Sequence, residues 1–148
     1  MNVIVPSEYP DFLHWLPGNE VVQIFQPDHV SQTDLILGAD VLFCLDFNWL
    51  SRTESMEPLL RKSTASRILI DHHLDPESAY DHVFSDTGAC ATAELIYRFI
   101  QAMGDQTLVD RSMADCLYCG IMTDTNSFRY SSMKSDTHRI IADLMEAG

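Results

Sequence analysis

The sequence predicts an α/β domain, a mostly parallel sheet flanked by helices, and three observations predict it. Short apolar, β-rich runs at 3–5, 21–25, 40–45 and 68–70 alternate with segments of helical spacing, the order that builds a parallel sheet covered on its faces. Two of those runs end on a carboxylate, Asp46 and Asp71. In open α/β sheets, ligands bind beyond the carboxyl ends of the strands. The chain's 148 residues suit one domain able to bury a sizeable core.

In chain order, Val3-Ile4-Val5 is a short strand stopped by Pro6. Residues 9–18, with Pro10, Pro17 and Gly18, form a turn-rich connection with room for one helical turn. A second strand, 21–25, ends before Pro27, and 31–37 makes a short helix with Ser31 as cap and Gly38 beyond its end. Residues 40–45 read as a stronger, buried strand running into Asp46. Residues 48–65 read as helical, in two pieces broken near Pro58. After the 68–70 strand comes a short extra strand at 82–84. Thr87-Gly88 opens a helix of about 15 residues to Met103, and Gly104 stands where a C-terminal glycine cap belongs. Residues 106–122 carry Leu108, Val109, Met113, Leu117 and Ile121 at helical spacing. A polar loop holding Asp124, Asn126 and Ser127 follows, and Ser135 or Asp136 caps a last helix over 137–147.

Composition narrows the function classes. No run approaches the roughly 18 apolar residues of a membrane span, and the first six residues are too short for a signal peptide and lack its basic start. The expected location is cytoplasmic, without membrane contact. A net charge of −13 repels duplex nucleic acid. It still admits a small phosphate ester, because bound divalent cations reverse the local field. Cys44, Cys90, Cys116 and Cys119 have no disulfide-framework spacing, and Cys116 and Cys119 lie on a predicted helix with no second ligand pair. They read as small buried residues.

The chemistry concentrates at Asp71-His72-His73, immediately after the apolar strand Ile68-Leu69-Ile70. Carboxylate and neutral imidazole are the usual ligands of manganese, zinc or iron. A solvated turn with a capping aspartate is the ordinary reading of the tripeptide alone. Asp46 ends a neighbouring strand, so it shares one sheet edge with Asp71, and Asp124 follows in Gly120-Ile121-Met122-Thr123-Asp124-Thr125. Such a convergent set suits a two-metal hydrolytic site, in which carboxylates hold hard cations and one of them bridges the pair. The cations would also neutralise charge building on a phosphoryl oxygen.

The motifs form an ordered series: Cys44-Leu45-Asp46 with Arg52; Ile70-Asp71-His72-His73; Ser85-Asp86-Thr87 followed by Ala91-Thr92-Ala93-Glu94-Leu95-Ile96-Tyr97; and Gly120-Ile121-Met122-Thr123-Asp124-Thr125-Asn126-Ser127-Phe128-Arg129-Tyr130. This series resembles the DHH phosphoesterase superfamily over nearly the whole chain, and within it the bifunctional oligoribonuclease (nanoRNase) and pAp phosphatase branch. The resemblance implies hydrolysis by metal-activated water of short RNA oligonucleotides or of the nucleotide bisphosphate 3′-phosphoadenosine-5′-phosphate (pAp). It implies Asp46 as the carboxylate bridging two metals, usually manganese with magnesium as the alternative, and His72 and Asp124 as further ligands. His73 would face the scissile phosphate as hydrogen-bond donor or proton carrier, and Asp71 would orient the site from behind a metal-bound histidine.

The same resemblance sets expectations about what this chain lacks. The family opens with a strand and a His-x-x-x-Asp-x-Asp motif that this sequence does not contain, and continues into a second domain with a Gly-Gly-Gly-His-type motif. Residues 1–148 therefore read as a partial catalytic domain without the first β-α unit and without the substrate domain. One metal at most would bind tightly, and activity of the chain alone would be weak or absent. The sheet edges left open would favour a homodimer. The alternative reading, of a different class, is a non-catalytic or inactive fragment that keeps only part of the metal site. A redox or zinc protein built on Cys116 and Cys119 is the weakest reading.

Among the remaining residues, Arg129, with Phe128 and Tyr130 beside it, is a candidate substrate contact, since Arg suits phosphate and Tyr stacks on bases. A structural anchor for the loop accounts for it equally well. Ser85 and Thr92 flank the helix opening near Gly88, whose N-terminus favours a phosphate, and capping is their ordinary role. His14, His29 and His82 read as surface residues, His138 as a first-turn residue without a partner, and Trp15 and Trp49 as packing residues.

Overall fold

The computed structural model describes residues 1–130 and 133–148. The described residues carry five strands, β1 (Val3–Val5), β2 (Val22–Ile24), β3 (Val41–Leu45), β4 (Ser66–Asp71) and β5 (His82–Ser85), and, besides short 3-10 turns, five α-helices, the last three of which follow β5 in succession. The helices are α1 (Val30–Leu37), α2 (Glu57–Lys62), α3 (Thr92–Met103), α4 (Arg111–Asp124) and α5 (Ser135–Ala147). Every strand pairing among the described residues is parallel, as the alternation predicts. The strands form a two-stranded sheet, β1-β2, and a three-stranded sheet, β3-β4-β5. No helix among the described residues is long and apolar enough to cross a membrane.

β4 is the centre of the larger sheet, paired on both sides, and its last three residues are buried. Leu69 is wholly buried and Ile70 nearly so, each stabilising the fold by about 2 kcal/mol through apolar area removed from water. On one face α1 and α2 cover Phe25, Ile36, Leu50, Met56 and Leu60, and both Ile4 of β1 and Leu42 of β3 pack against that cluster. On the other face α3 brings Leu95 onto Ile70 and Ala89, while Tyr97, Ile121 and Ile140 join α3 to α4 and α5. A Cβ on Gly120 would stand 2.7 Å from the Cβ of Ala93, so only glycine allows α3 and α4 to cross this closely. Arg67 threads its guanidinium onto the carbonyls of Leu60, Ser63 and Ala79, tying the end of α2 and the approach to β5 onto β4.

Several local expectations are corrected. β3 is half-buried rather than buried: Cys44 is covered, but Val41, Phe43 and Leu45 alternate outward and stay exposed, as on an edge strand. The 48–65 helix breaks at Glu54, whose φ is +53°, and Pro58 instead lies in the first turn of α2, where its missing N–H costs nothing. His29, not Ser31, occupies the N-cap of α1, and Lys134, not Ser135 or Asp136, that of α5. α3 begins at Thr92 rather than near Gly88, because Asp86 draws the chain into a turn: its side chain accepts from Gly88 N at 2.8 Å and its carbonyl from Ala89 N at 3.0 Å. α4 continues to Asp124, so that carboxylate ends a helix instead of lying in a loop. Trp15 and Trp49 are exposed rather than packed. Gly104 does close α3 in the left-handed conformation, with φ +82°.

Candidate metal centre

The register of the parallel strands sets the site. Leu45 pairs with Ile70 and Asp71 with Ser85, so Asp46, Asp71 and Ser85 align along one sheet edge. The Asp46 amide still bonds the Ile70 carbonyl at 3.1 Å, and there the chain turns with φ +67°, a conformation aspartate tolerates better than most residues. The loops leaving β3 and β4 are laced together. Asn48 Nδ2 donates to the Leu74 carbonyl at 2.6 Å, and the Leu50 amide donates to Glu77 Oε1 at 2.6 Å. Asp46 is thereby held against the two histidines.

Distances within the cluster are short. His72 Nε2 lies 3.7 Å from Asp46 Oδ1 and 3.4 Å from Asp124 Oδ2. His73 Nδ1 lies 3.9 Å from Asp46 Oδ1 and 2.7 Å from Asp71 Oδ1. Donor atoms of Asp46, His72 and His73 all fall within 4.8 Å of one another. The structure thus brings together all five residues expected at the centre. It assigns the carboxylate partner differently. Asp71 meets His73, two residues on, while His72 sets its Nδ1 on the Ala89 carbonyl at 3.3 Å, and the two imidazoles stand edge to face with ring centres 4.8 Å apart.

The environments differ by residue. Asp71 is wholly buried, and its Oδ2 has no hydrogen-bond partner. The Asp46 side chain is 59% exposed, so the cluster opens to solvent. Although the Asp124 side chain is 42% exposed, partial desolvation pushes its carboxyl above its ordinary value; the imidazole of His72 opposes that rise and the charge of Asp46 adds to it. Asp124 also stands at the negative end of the α4 dipole. Among the described residues, no Lys or Arg lies within 4.0 Å of these carboxylates as an ion-pair partner. Carboxylates converging on imidazole nitrogens without a compensating cation are the donor set of a hard or borderline divalent metal. The residues present fit such an ion.

Of the candidate substrate contacts, Thr92 is the first residue of α3 and donates its hydroxyl to Asp46 Oδ1 at 2.7 Å. Ser85 ends β5, exposed beside Asp71. Arg129 is exposed in the turn after α4, where Asn126, Ser127 and Phe128 have φ of +50°, +58° and +64°. That turn is anchored by buried Thr125, whose hydroxyl donates to the Ile121 carbonyl and accepts from the Phe128 amide. His14, His29, His82 and His138 are exposed, as expected. Sequence reasoning missed the role of the 86–91 turn, whose carbonyl at Ala89 holds His72; the turn-forming Asp86-Thr87-Gly88 was the signal available.

The sequence profile described as the DHH family, N-terminal domain, matches residues 2–121. A protein named probable bifunctional oligoribonuclease and PAP phosphatase NrnA from Streptococcus mutans is 35% identical over 79 residues, covering 53% of this chain and 25% of that protein. The bifunctional oligoribonuclease and PAP phosphatase NrnA of Bacillus subtilis is 24% identical over 147 residues, covering 97% of this chain and 45% of its own length. The crystal structure of an exopolyphosphatase-related protein from Bacteroides fragilis superposes with a TM-score of 0.96 at 39% identity, covering 99% of this chain and 43% of that one. The chain thus spans a quarter to less than half the length of these relatives.

Proposed function

Because this chain belongs to the DHH family, we propose that it carries the catalytic core of a manganese-dependent phosphoesterase acting on short oligoribonucleotides and on pAp. The observation that carries this reading is the approach of His72 Nε2 to Asp46 Oδ1 at 3.7 Å and to Asp124 Oδ2 at 3.4 Å, beside a group of Asp46, His72 and His73 whose ligand atoms lie within 4.8 Å of one another. Asp46, His72 and Asp124 would hold the ion, with His73 beside it. A divalent cation there supplies an activated water and offsets charge on the phosphoryl group.

The chain's own residues do the rest. The Ala89 carbonyl keeps the outer nitrogen of His72 occupied, leaving Nε2 to face the carboxylates. Thr92 fixes one oxygen of Asp46. Buried Asp71 holds His73 by Nδ1, which leaves Nε2 of that ring to donate to, or exchange a proton with, a phosphate oxygen. Ser85 and Arg129 would contact substrate at the rim. The open edge of β3, with Val41, Phe43 and Leu45 exposed, would pair two copies in a homodimer. A monodisperse monomer by light scattering rejects that pairing.

Calorimetric titration of manganese into the chain, beside the Asp46→Ala variant, tests the reading. Binding by the parent that the variant loses is expected, with hydrolysis of a diribonucleotide and of pAp assayed next. Equal binding by both proteins would put the ion elsewhere and overturn the site.

A further inference from the structure

Glu94 is a carboxylate with no exposure to solvent, in the first turn of α3. Burying that charge is costly unless every oxygen is engaged. Its Oε1 pairs with Arg98, and its Oε2 accepts from Cys90 N at 3.1 Å, Cys90 Sγ at 3.1 Å and Thr137 Oγ1 at 3.1 Å. The Cys90 N–H belongs to the same peptide unit as the Ala89 carbonyl, and that carbonyl holds His72 Nδ1 at 3.3 Å. A trans peptide unit is planar, with its N–H and C=O pointing in opposite directions. A clamp on the N–H therefore aims the C=O.

From this chain of contacts we infer that Glu94 is a positioning residue for His72, acting through the Ala89–Cys90 peptide to hold the Nδ1–H tautomer and turn Nε2 toward Asp46 and Asp124. A full negative charge on the amide side polarises the peptide and makes its carbonyl the stronger acceptor, an effect that low local dielectric enlarges. The clamp is braced at a second point. Arg98 also pairs with Asp86 at 3.2 Å, and Asp86 accepts from Gly88 N, so one arginine ties both ends of the turn. The value of the arrangement as a metal ligand rests on the proposed function; the tautomer itself does not.

Nitrogen-15 NMR of the histidine rings in the metal-free chain, above the pH range in which imidazole titrates, tests the inference. In the parent, His72 Nδ1 is expected to carry the proton and Nε2 to show the shift of an unprotonated nitrogen. A parent His72 in the Nε2–H form overturns the inference with no variant needed. Glu94→Gln cannot accept on both sides at once, because its amide NH2 must face either Arg98 or the Cys90 amide. A folded Glu94→Gln chain is expected to show mixed tautomers and to bind manganese about 10- to 100-fold more weakly. An unchanged tautomer in that folded variant overturns the inference. Thr137→Val breaks the tie to α5 but leaves the clamp on Cys90, and is expected to keep the parent tautomer; loss there would assign the effect to packing instead. Failure of every form to bind manganese would overturn the proposed function and leave the tautomer result standing.

Discussion

The hydroxyl of Thr92, the first residue of α3, donates to Asp46 Oδ1 at 2.7 Å across 46 residues of sequence. One strand end and one helix start are thereby locked together at the candidate metal ligand. The same oxygen lies 3.7 Å from His72 Nε2. Replacing Thr92 by Val keeps the shape and removes the donor. Thr92→Val is expected to weaken manganese binding about tenfold or more, in line with the loss of a group that orients a ligand. Stability should change by about 1 kcal/mol, read by thermal unfolding of the metal-free chain. An unchanged manganese affinity would return Thr92 to the substrate-contact role that its place near a helix N-terminus suggested.

Much of this arrangement was legible in the sequence because it rests on local signals. Apolar runs ending at Asp46 and Asp71 announced parallel strands with carboxylates at one edge, and the ladder puts them there. Glycine closes α3 where a C-cap was expected, at Gly104. What was hidden depends on partners far along the chain. Glu94 sits in a run of helical spacing where nothing reveals that Thr137, on α5, will bury its carboxylate. The helical reading of 88–91 failed because the side chain of Asp86 competes for the Gly88 amide. Asp124 looked like a loop residue because Thr125, Asn126 and Ser127 are polar, yet α4 runs through Asp124 and Thr125 caps it, just before three successive residues take positive φ. The exposure of Trp49 could not be inferred from its side chain, since indoles are buried far more often than not.

Asp124 makes the metal-free site sensitive to pH in a definite direction. Partial desolvation raises its carboxyl above the unfolded value, an effect that the side chain's 42% exposure keeps small, so the folded chain holds that proton somewhat more tightly than the unfolded chain does. The resulting stabilisation is complete below the ordinary carboxylate range and is lost as pH rises through the raised folded value. At neutral pH the charged form is a burden that a bound cation relieves. Asp124→Asn should therefore unfold at a higher temperature than the parent at neutral pH without metal, and at the same temperature in acid, where the parent carboxyl is already protonated. Manganese should raise the melting temperature of the parent and leave the variant nearly unmoved. An equal gap between the two proteins at both pH values would mean that Asp124 acts by packing and not by charge.

Asp71 separates ligand binding from chemistry. Its carboxylate is wholly buried, touches His73 and not His72, and has one oxygen with no partner among the described residues. In Asp71→Asn the amide oxygen can still accept from His73 Nδ1, but the negative charge beneath that ring is gone. The buried NH2 would meet no hydrogen-bond partner, so the variant should fold but lose about 1–3 kcal/mol of stability. Hydrolysis is a different matter. If His73 carries a proton to or from the phosphate, kcat should fall about 100-fold or more, while manganese affinity changes by less than tenfold, because the groups around His72 Nε2 are untouched. Calorimetry and steady-state kinetics on the same preparation distinguish the cases. A loss of manganese affinity as large as that of Asp46→Ala would make Asp71 part of the metal's own ligand set, and would leave His73 positioned by the ion and not by the carboxylate beneath it.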